Sequence, residues 1–300
     1  VTLTVNLEDH TPESVAPPDP VWANDYEVSL SDGRLHARDS TVVFAGCARN
    51  CGPVLRANLW RIEQMGAAFA DWAAVIVEND STDGTKECLD EWAMMPGGLR
   101  TIVHLDNGRP RLHGFEPERM QAMAEYRNAY LHVIRDQHPR ADYVVVLDLD
   151  IWGGYGGLLA GISELANNPA AAGMASVSLF QARVQGGDLH WLHYDQFAFR
   201  WFDWSRRLDS WFPAWLPPVG APPLRVKSAF GGMAVYEASR LLACEYTAVD
   251  GDCEHVGLHR QMEDRGGRVY LNPSQRVIVS WEPHDDGGRD GHDQRAGVPA

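Results

Sequence analysis

Through the first half of the chain, short apolar runs alternate with longer stretches of helical period. TVVFAG (41–46) is a continuous apolar run. Behind Gly52-Pro53, Leu55, Leu59, Ile62 and Met65 repeat at helical spacing. WAAVIV (Trp72 to Val77) predicts a second buried strand and Thr101 to Leu105 a third. Over residues 118–134, Met120, Met123, Ala124, Arg127, Tyr130, Leu131 and Ile134 share one stripe of a helix. The fourth apolar run, YVVVLDLDIW (Tyr143 to Trp152), ends in two aspartates. This alternation predicts an α/β fold: a Rossmann-like, mostly parallel sheet with helices on both faces, in a single large domain.

Beyond Asp150 the texture changes. A helix over Leu158 to Leu165, a strand over Gly173 to Phe180 and a loop-into-strand, SAFGGMAVYE (Ser228 to Glu237), are expected. A helix over Val256 to Arg265 and a last strand over Arg276 to Trp281 follow. Between them, His190 to Trp215 holds five of the eleven tryptophans. Its prolines forbid regular structure towards its end. Such a segment either seals the sheet as a packed excursion or offers aromatic faces to sugars or bases. Residues 1–40 show no helical period and carry Pro12, Pro17, Pro18 and Pro20, the pattern of an extended arm. The Gly- and Asp-rich stretch over 285–300 reads as disordered.

Charge narrows the classes. With 26 basic against 41 acidic residues in 300, the net charge of −15 argues against a nucleic-acid partner. Hydrophobic content of 45% is ordinary for a globular chain. No window has the length and apolarity of a membrane span, and no signal-peptide pattern opens the sequence. Five cysteines without a CxxC pair suggest free thiols in a reducing, cytoplasmic setting. Cys47–Cys51 and Cys244–Cys253 are the alternative pairings.

The candidate chemistry gathers at strand ends. If the strand continues past Leu147, Asp148 and Asp150 share one face. Two carboxylates side by side suit Mn²⁺ or Mg²⁺, which is commonly shared with substrate phosphates. Arg127 is the misfit in its apolar stripe and needs an anion. Asp80 or Asp148 would serve, and so would a diphosphate, which fits the guanidinium fork. ENDSTDGT (Glu78 to Thr85) is a polar turn at a strand's carboxyl end, either a helix cap or a nucleotide contact. Asp195, in HYDQF, is the carboxylate of the aromatic segment placed to face a substrate. Gly231-Gly232 would let backbone lie against a bound sugar. Asp250, Asp252, Glu254 and His255 precede a helix, where carboxylates either complement the dipole or act as a base.

The order strand-CARN, strand-ENDSTDGT, helix-AEYRN, strand-VVVLDLDI resembles the nucleotide-sugar glycosyltransferases of the A-type fold. Among them it is most similar to the fungal capsule-associated α-1,3-mannosyltransferase family, over roughly residues 41–281. The resemblance implies that Asp148 and Asp150 hold the metal on the donor diphosphate, with His284 as a third ligand. It implies that Ala48, Arg49 and Asn50, with Glu78, Asn79 and Asp80, bracket the nucleoside, and that Arg127 faces the phosphates. Glu254 falls where an acceptor-activating carboxylate stands, with Asp252 and Asp195 as alternatives. The implied donor is GDP-mannose, with a UDP-sugar as the other choice, and the acceptor a glycan or another hydroxyl. Residues 41–152 would form the nucleotide-sugar half and 153–284 the acceptor half.

Three other readings compete. An aspartyl-nucleophile phosphatase would carry Thr or Val where Trp152 stands, and would place its motif earlier. A sugar transferase acting on a modified DNA base would share the same motifs. A nucleotide-binding module without catalysis would pair Asp148 and Asp150 with Arg127.

Overall fold

The strand that ends at Asp148 lies near the middle of a ten-stranded sheet. The computed structural model describes residues 11–280, apart from 113, 115, 184–186, 207–208 and 210. Strands β1 (Thr41–Ala48), β2 (Asp71–Asn79), β3 (Leu99–Leu105) and β4 (Tyr143–Asp148) run parallel in the order β3-β2-β1-β4. After the two-residue β5 (Trp152–Gly153), β6 (Ala171–Arg183) carries the hairpin partner β7 (Leu189–His193). β8 (Leu224–Val226) pairs with the last strand. β9 (Met233–Glu237) enters antiparallel between β4 and β6, and β10 (Arg268–Ser280) is again parallel to β6. The α/β sheet expected from the sequence is present, parallel in its first four strands and mixed beyond them.

Eight helices are described: α1 (Pro12–Val15), α2 (Ala23–Arg38), α3 (Gly52–Gly66), α4 (Thr85–Ala93), α5 (Pro117–Gln137), α6 (Tyr155–Asn167), α7 (Ala238–Leu242) and α8 (Glu254–Asp264). Alternation along β4 sends Val144 and Val146 to one face, where Tyr130, Leu131 and Ile134 of α5 and Leu258 and Met262 of α8 pack. Val145 and Leu147 go to the other, against Leu30 of α2, Leu55 and Ile62 of α3, and Leu158 and Ile162 of α6. Both faces of the sheet are therefore covered, which is why its strands read as unbroken apolar runs.

Three expectations need correction. Residues 23–38 are not an extended arm but a 16-residue helix, and α2 packs along α6. Its buried stripe is Tyr26, Leu30, Gly33 and Ala37. Two of those four are too small to register as a hydrophobic period. The DxD strand stops at Asp148, and Leu149-Asp150 form a turn, because the chain folds back so that Trp152–Gly153 can pair with β10. Strand alternation therefore does not align the two aspartates. The last strand begins at Arg268, eight residues before the expected Arg276. NPSQ (272–275) is a bulge within it, with register shifting between Asn272 and Arg276. The expected disorder over 285–300 lies outside the described residues. All five cysteines are free. Among the described residues no helix is long and apolar enough to cross a membrane.

The α2–α6 contact gives a test of sign. A Cβ at Gly33 would collide with the backbone carbonyl of Leu159. On an open helix Gly→Ala gains about 0.5–1 kcal/mol. Gly33→Ala should instead destabilise by about 1–3 kcal/mol through overpacking. Urea denaturation reads the difference, and a gain in stability would contradict the close crossing.

Candidate active site

At the carboxyl end of β4 the main chain is pinned before any side chain acts. Asp148 N donates to Gly232 O at 2.9 Å, and its strand neighbour on β1 is Cys47. Arg127, on the third turn of α5, reaches this end from the face below. Its Nη2 donates to Asp148 Oδ1 at 3.0 Å and its Nε to Glu254 Oε1 at 2.9 Å. The guanidinium carbon lies 4.9 Å from the Phe230 ring centre and 5.8 Å from that of Tyr246. Arg127 is 3% exposed and Glu254 4%, and Nη1 of Arg127 has no partner. An apolar stripe can hold this arginine because two carboxylates meet it inside the protein. Of the anions weighed from the sequence, Asp148 is a partner and Asp80 is not.

Burial pushes Asp148 up to about 6. Arg127 pulls it down, and the charge of Asp150 adds to the rise. Asp150 is exposed at the mouth beside it. Burial pushes the Cys47 thiol up to about 12, so it stays protonated and is no nucleophile. His255 stacks on Phe230 at 3.8 Å between ring centres. Burial, with the Arg127 charge, holds it well below the usual imidazole range and therefore neutral. Its Nε2 lies 3.7 Å from Glu254 Oε1. His259 beneath it is bracketed by Ser228 Oγ at 2.9 Å and Tyr236 Oη at 3.0 Å. Phe230 and Tyr246 carry no polar signal in the sequence, and His255 shows there only as a neighbour of Glu254; the fold brings all three around a charge.

The two turns bracketing the neighbouring strand ends are tied to each other. Asn50 N donates to Ser81 Oγ (3.0 Å), and Asn50 Oδ1 accepts from Thr82 N (2.8 Å). Glu78, fully buried, accepts from Ser81 N at 2.8 Å and sits 3.2 Å from His104 Nδ1. Asp80 accepts from Gly108 N, and Arg49 donates to the carbonyl of Arg109 at 2.6 Å. Asn50 and Asp80 both hold left-handed backbone, φ 52°, which Asn and Asp tolerate better than most side chains. Ala48 and Asn79 are buried between these turns, and Asn79 Nδ2 has no hydrogen-bond partner. Ala48–Asn50 and Glu78–Asp80 thus lie together at the ends of β1 and β2.

The remaining candidates serve the frame. Asp195 accepts from Gly231 N (2.8 Å) and Ala198 N (3.2 Å). Burial raises its pKa while those N–H groups oppose the rise. Asp252 is committed to the fully buried Arg200, Nη2 to Oδ1 at 2.6 Å. Gly231 and Gly232 both have positive φ, and a Cβ at Gly231 would meet Ser176 O and one at Gly232 the Ile151 side chain, so protein fills their side-chain directions. The aromatic segment is largely a packed excursion. His193 stacks on Phe212 at 4.2 Å, and Trp201 and Trp215 lie 4.9 Å apart. His284 lies outside the described residues.

No protein-family model matches the sequence, and no curated protein does. Several solved structures are similar. One is the mannosyltransferase PcManGT from Pyrobaculum calidifontis in complex with GDP-Man and Mn²⁺, at 16% identity and TM-score 0.49. The match covers 86% of this chain and 65% of that one. GalNAc-T7 with UDP, GalNAc and Mn²⁺ matches at 15% identity and TM-score 0.49, over 91% and 55%. Glucosyl-3-phosphoglycerate synthase from Mycobacterium tuberculosis, in complex with Mn²⁺, UDP and phosphoglyceric acid, matches at 12% and 0.47, over 85% and 74%. The chain spans less than two thirds of the first two proteins' length.

If Arg127 neutralises two carboxylates, removing it leaves buried Glu254 uncompensated. Arg127→Met should then lower stability by roughly 3–5 kcal/mol, and adding Glu254→Gln should recover a large part of the loss. Denaturation of the single and double variants checks this. Equal stability of both with the parent chain would mean the pairs are not what holds the site.

Proposed function

We propose that this chain is a nucleotide-sugar glycosyltransferase, moving a hexose from a donor diphosphate to a hydroxyl of a glycan acceptor. The observation that carries the reading is Arg127, which spans Asp148 at the strand end and Glu254 at the start of α8. A carboxylate suited to a metal, a cation suited to phosphate and a buried base therefore stand around one point. GDP-mannose is the favoured donor, on the sequence resemblance to the mannosyltransferase family, with a UDP-sugar as the alternative.

The donor set fits Mn²⁺ or Mg²⁺. Asp148 rises towards neutrality partly because Asp150 stands beside it, a crowding that a cation would relieve. Asp148 and Asp150 would be its protein ligands, and no third His, Cys, Asp or Glu joins them in a cluster among the described residues. That matches the habit of these ions of keeping phosphate and water in their shell. The metal, when bound, supplies Lewis-acid stabilisation of the departing diphosphate.

The chain's own residues do the rest. Ala48–Asn50 and Glu78–Asp80 bracket the nucleoside, with Asn79 Nδ2 a donor in want of an acceptor. Arg127 exchanges a carboxylate for donor phosphate oxygens, a partner its planar fork suits equally. Glu254, released from that pair, takes the acceptor's proton as its oxygen attacks the anomeric carbon and the bond to phosphate breaks. With Glu254 as base, the displacement inverts the anomeric carbon. Asp252 and Asp195 act as positioning residues, through Arg200 and Gly231.

A nucleotide-binding module without catalysis would tie up both aspartates on Arg127. Here the ion pairs of Arg127 run to Asp148 and Glu254, not to Asp150, which favours the transferase.

Incubation with a panel of nucleotide sugars and Mn²⁺ should release nucleoside diphosphate from one donor class. Release from none of them, with or without an acceptor, sinks the reading. Asp150→Ala should abolish turnover and the metal-dependent part of donor binding in calorimetry while leaving the melting temperature nearly unchanged. Metal-dependent affinity that survives the substitution would remove Asp150 from the site.

Glu254→Gln keeps shape but cannot accept a proton. Transfer to acceptor should fall by roughly 10²–10⁴-fold with donor affinity intact. Turnover close to that of the parent chain would make Glu254 a helix-end charge and return the mechanism to a base-free, retaining path.

A further inference from the structure

His255 and His259 stand one turn apart on α8, 2% and 1% exposed, and the protein treats them oppositely. His259 has a partner on each ring nitrogen, Ser228 Oγ at 2.9 Å and Tyr236 Oη at 3.0 Å. Among the described residues, His255 has no hydrogen-bond partner on either Nδ1 or Nε2. Its ring stacks on Phe230 at 3.8 Å and stands edge-on to Tyr246 at 5.3 Å. A neutral imidazole always carries one N–H, so one buried donor here goes unmet, at a cost to stability. A nearby acceptor is Glu254 Oε1, 3.7 Å from His255 Nε2 and just beyond hydrogen-bond length. That oxygen is already taken by Arg127 Nε at 2.9 Å. Glu254 Oε1 therefore has two donors beside it and bonds only one of them.

We propose that His255 is a positioning residue for Glu254: its Nε2–H takes over the carboxylate when Arg127 Nε lets go. A shift of under about 1 Å brings Oε1 into the normal N–H···O range of about 2.7–3.2 Å. The use of this bond in turnover rests on the transferase reading, in which Arg127 turns to donor phosphate; the bond itself does not. A carboxylate held by a guanidinium is a reluctant base, because the opposite charge favours its ionised form. On a neutral N–H, a weaker partner, the carboxylate keeps its aim and regains proton affinity. Burial and the Arg127 charge keep His255 neutral, as this role requires. When Glu254 takes the acceptor's proton, His255 keeps its own, so no proton is relayed through the ring. Arg127 and His255 both rest against Phe230, so one aromatic ring positions both donors.

The hydrogen bond is tested without turnover. In the intact chain with isotope-labelled histidine, long-range proton–nitrogen correlation NMR at neutral pH reads the tautomer of His255, assigned by its loss in His255→Gln. In Arg127→Met the ring proton should sit on Nε2, shifted downfield and protected from solvent exchange. Adding Glu254→Gln should weaken both signs. Should Arg127→Met not fold, Arg127→Lys, which keeps a charge for Asp148 but lacks Nε, takes its place. A proton on Nδ1 in these variants, or an Nε2 proton that Glu254→Gln leaves unmoved, overturns the proposal. Kinetics test the use of the bond. His255→Phe keeps the stack and should slow transfer to acceptor by roughly tenfold or more with donor KM unchanged, the loss expected for one hydrogen bond to a charged group. His255→Gln, whose amide nitrogen falls near Nε2, should recover most of the rate, and His255→Asn should not. Undiminished transfer by His255→Phe overturns the positioning role. A parent chain that turns over no donor overturns the transferase reading and the positioning role with it, while the Nε2 bond is judged by NMR alone.

Discussion

The site depends on one buried cation. Arg127 takes the whole cost of leaving water and recovers it from Asp148, Glu254 and the faces of Phe230 and Tyr246. Each partner comes from a different segment, so the pairings hold α5, β4, α8 and the loops that carry Phe230 and Tyr246 together as well as neutralising charge. Tyr130 and Tyr246 share a 2.9 Å hydrogen bond at the same level, and Asn128 clasps the backbone of Tyr246 on both its N–H and its C=O. A guanidinium can change partners with little movement.

Around that cation, polar groups are spent on positioning backbone. Asp195 holds Gly231, and Arg200 gives its donors to the carbonyls of Phe197, Phe199 and Trp204 as well as to Asp252. The result is a rigid floor under Glu254 made from a segment with little regular structure. Tryptophans that look from composition like a recognition surface mostly plug this floor. Phe202 and Trp211, at 79% and 45% exposure, are the aromatics of that segment left facing solvent beside Tyr194.

What was legible in the sequence was what period and strand ends encode. The four parallel strands, α5 with its anomalous arginine and the carboxylates at the end of β4 all follow from local pattern. The contact between Arg127 and Asp148 was among the partners weighed, because an arginine in an apolar stripe must find an anion. What stayed hidden depended on close approach or distance in sequence. α2 is bound by a stripe in which Gly33 and Ala37 are too small to complete a hydrophobic period. β10 runs through a bulge at 272–275, which interrupts the strand pattern ahead of Arg276. His255 stands in the acidic cluster beside Glu254, but only the fold stacks it on Phe230 and sets His259 against Tyr236. Gly231 and Gly232 signal close approach, and in their side-chain directions it is protein that comes close.

The antiparallel insertion of β9 has a consequence for how the molecule is made. β1 to β4 are contiguous in sequence and leave the ribosome with Arg127 and Asp148 already among them, while Glu254 follows 127 positions after Arg127. Until β9 arrives, the nascent sheet shows a bare edge at β4, and the arginine lacks its most buried counter-charge. The step that closes the sheet is also the one that brings α8 and completes the charge cluster. The full set of charges around Arg127 then arrives only with the later part of the chain, and a half-made chain holds the arginine with Asp148 alone.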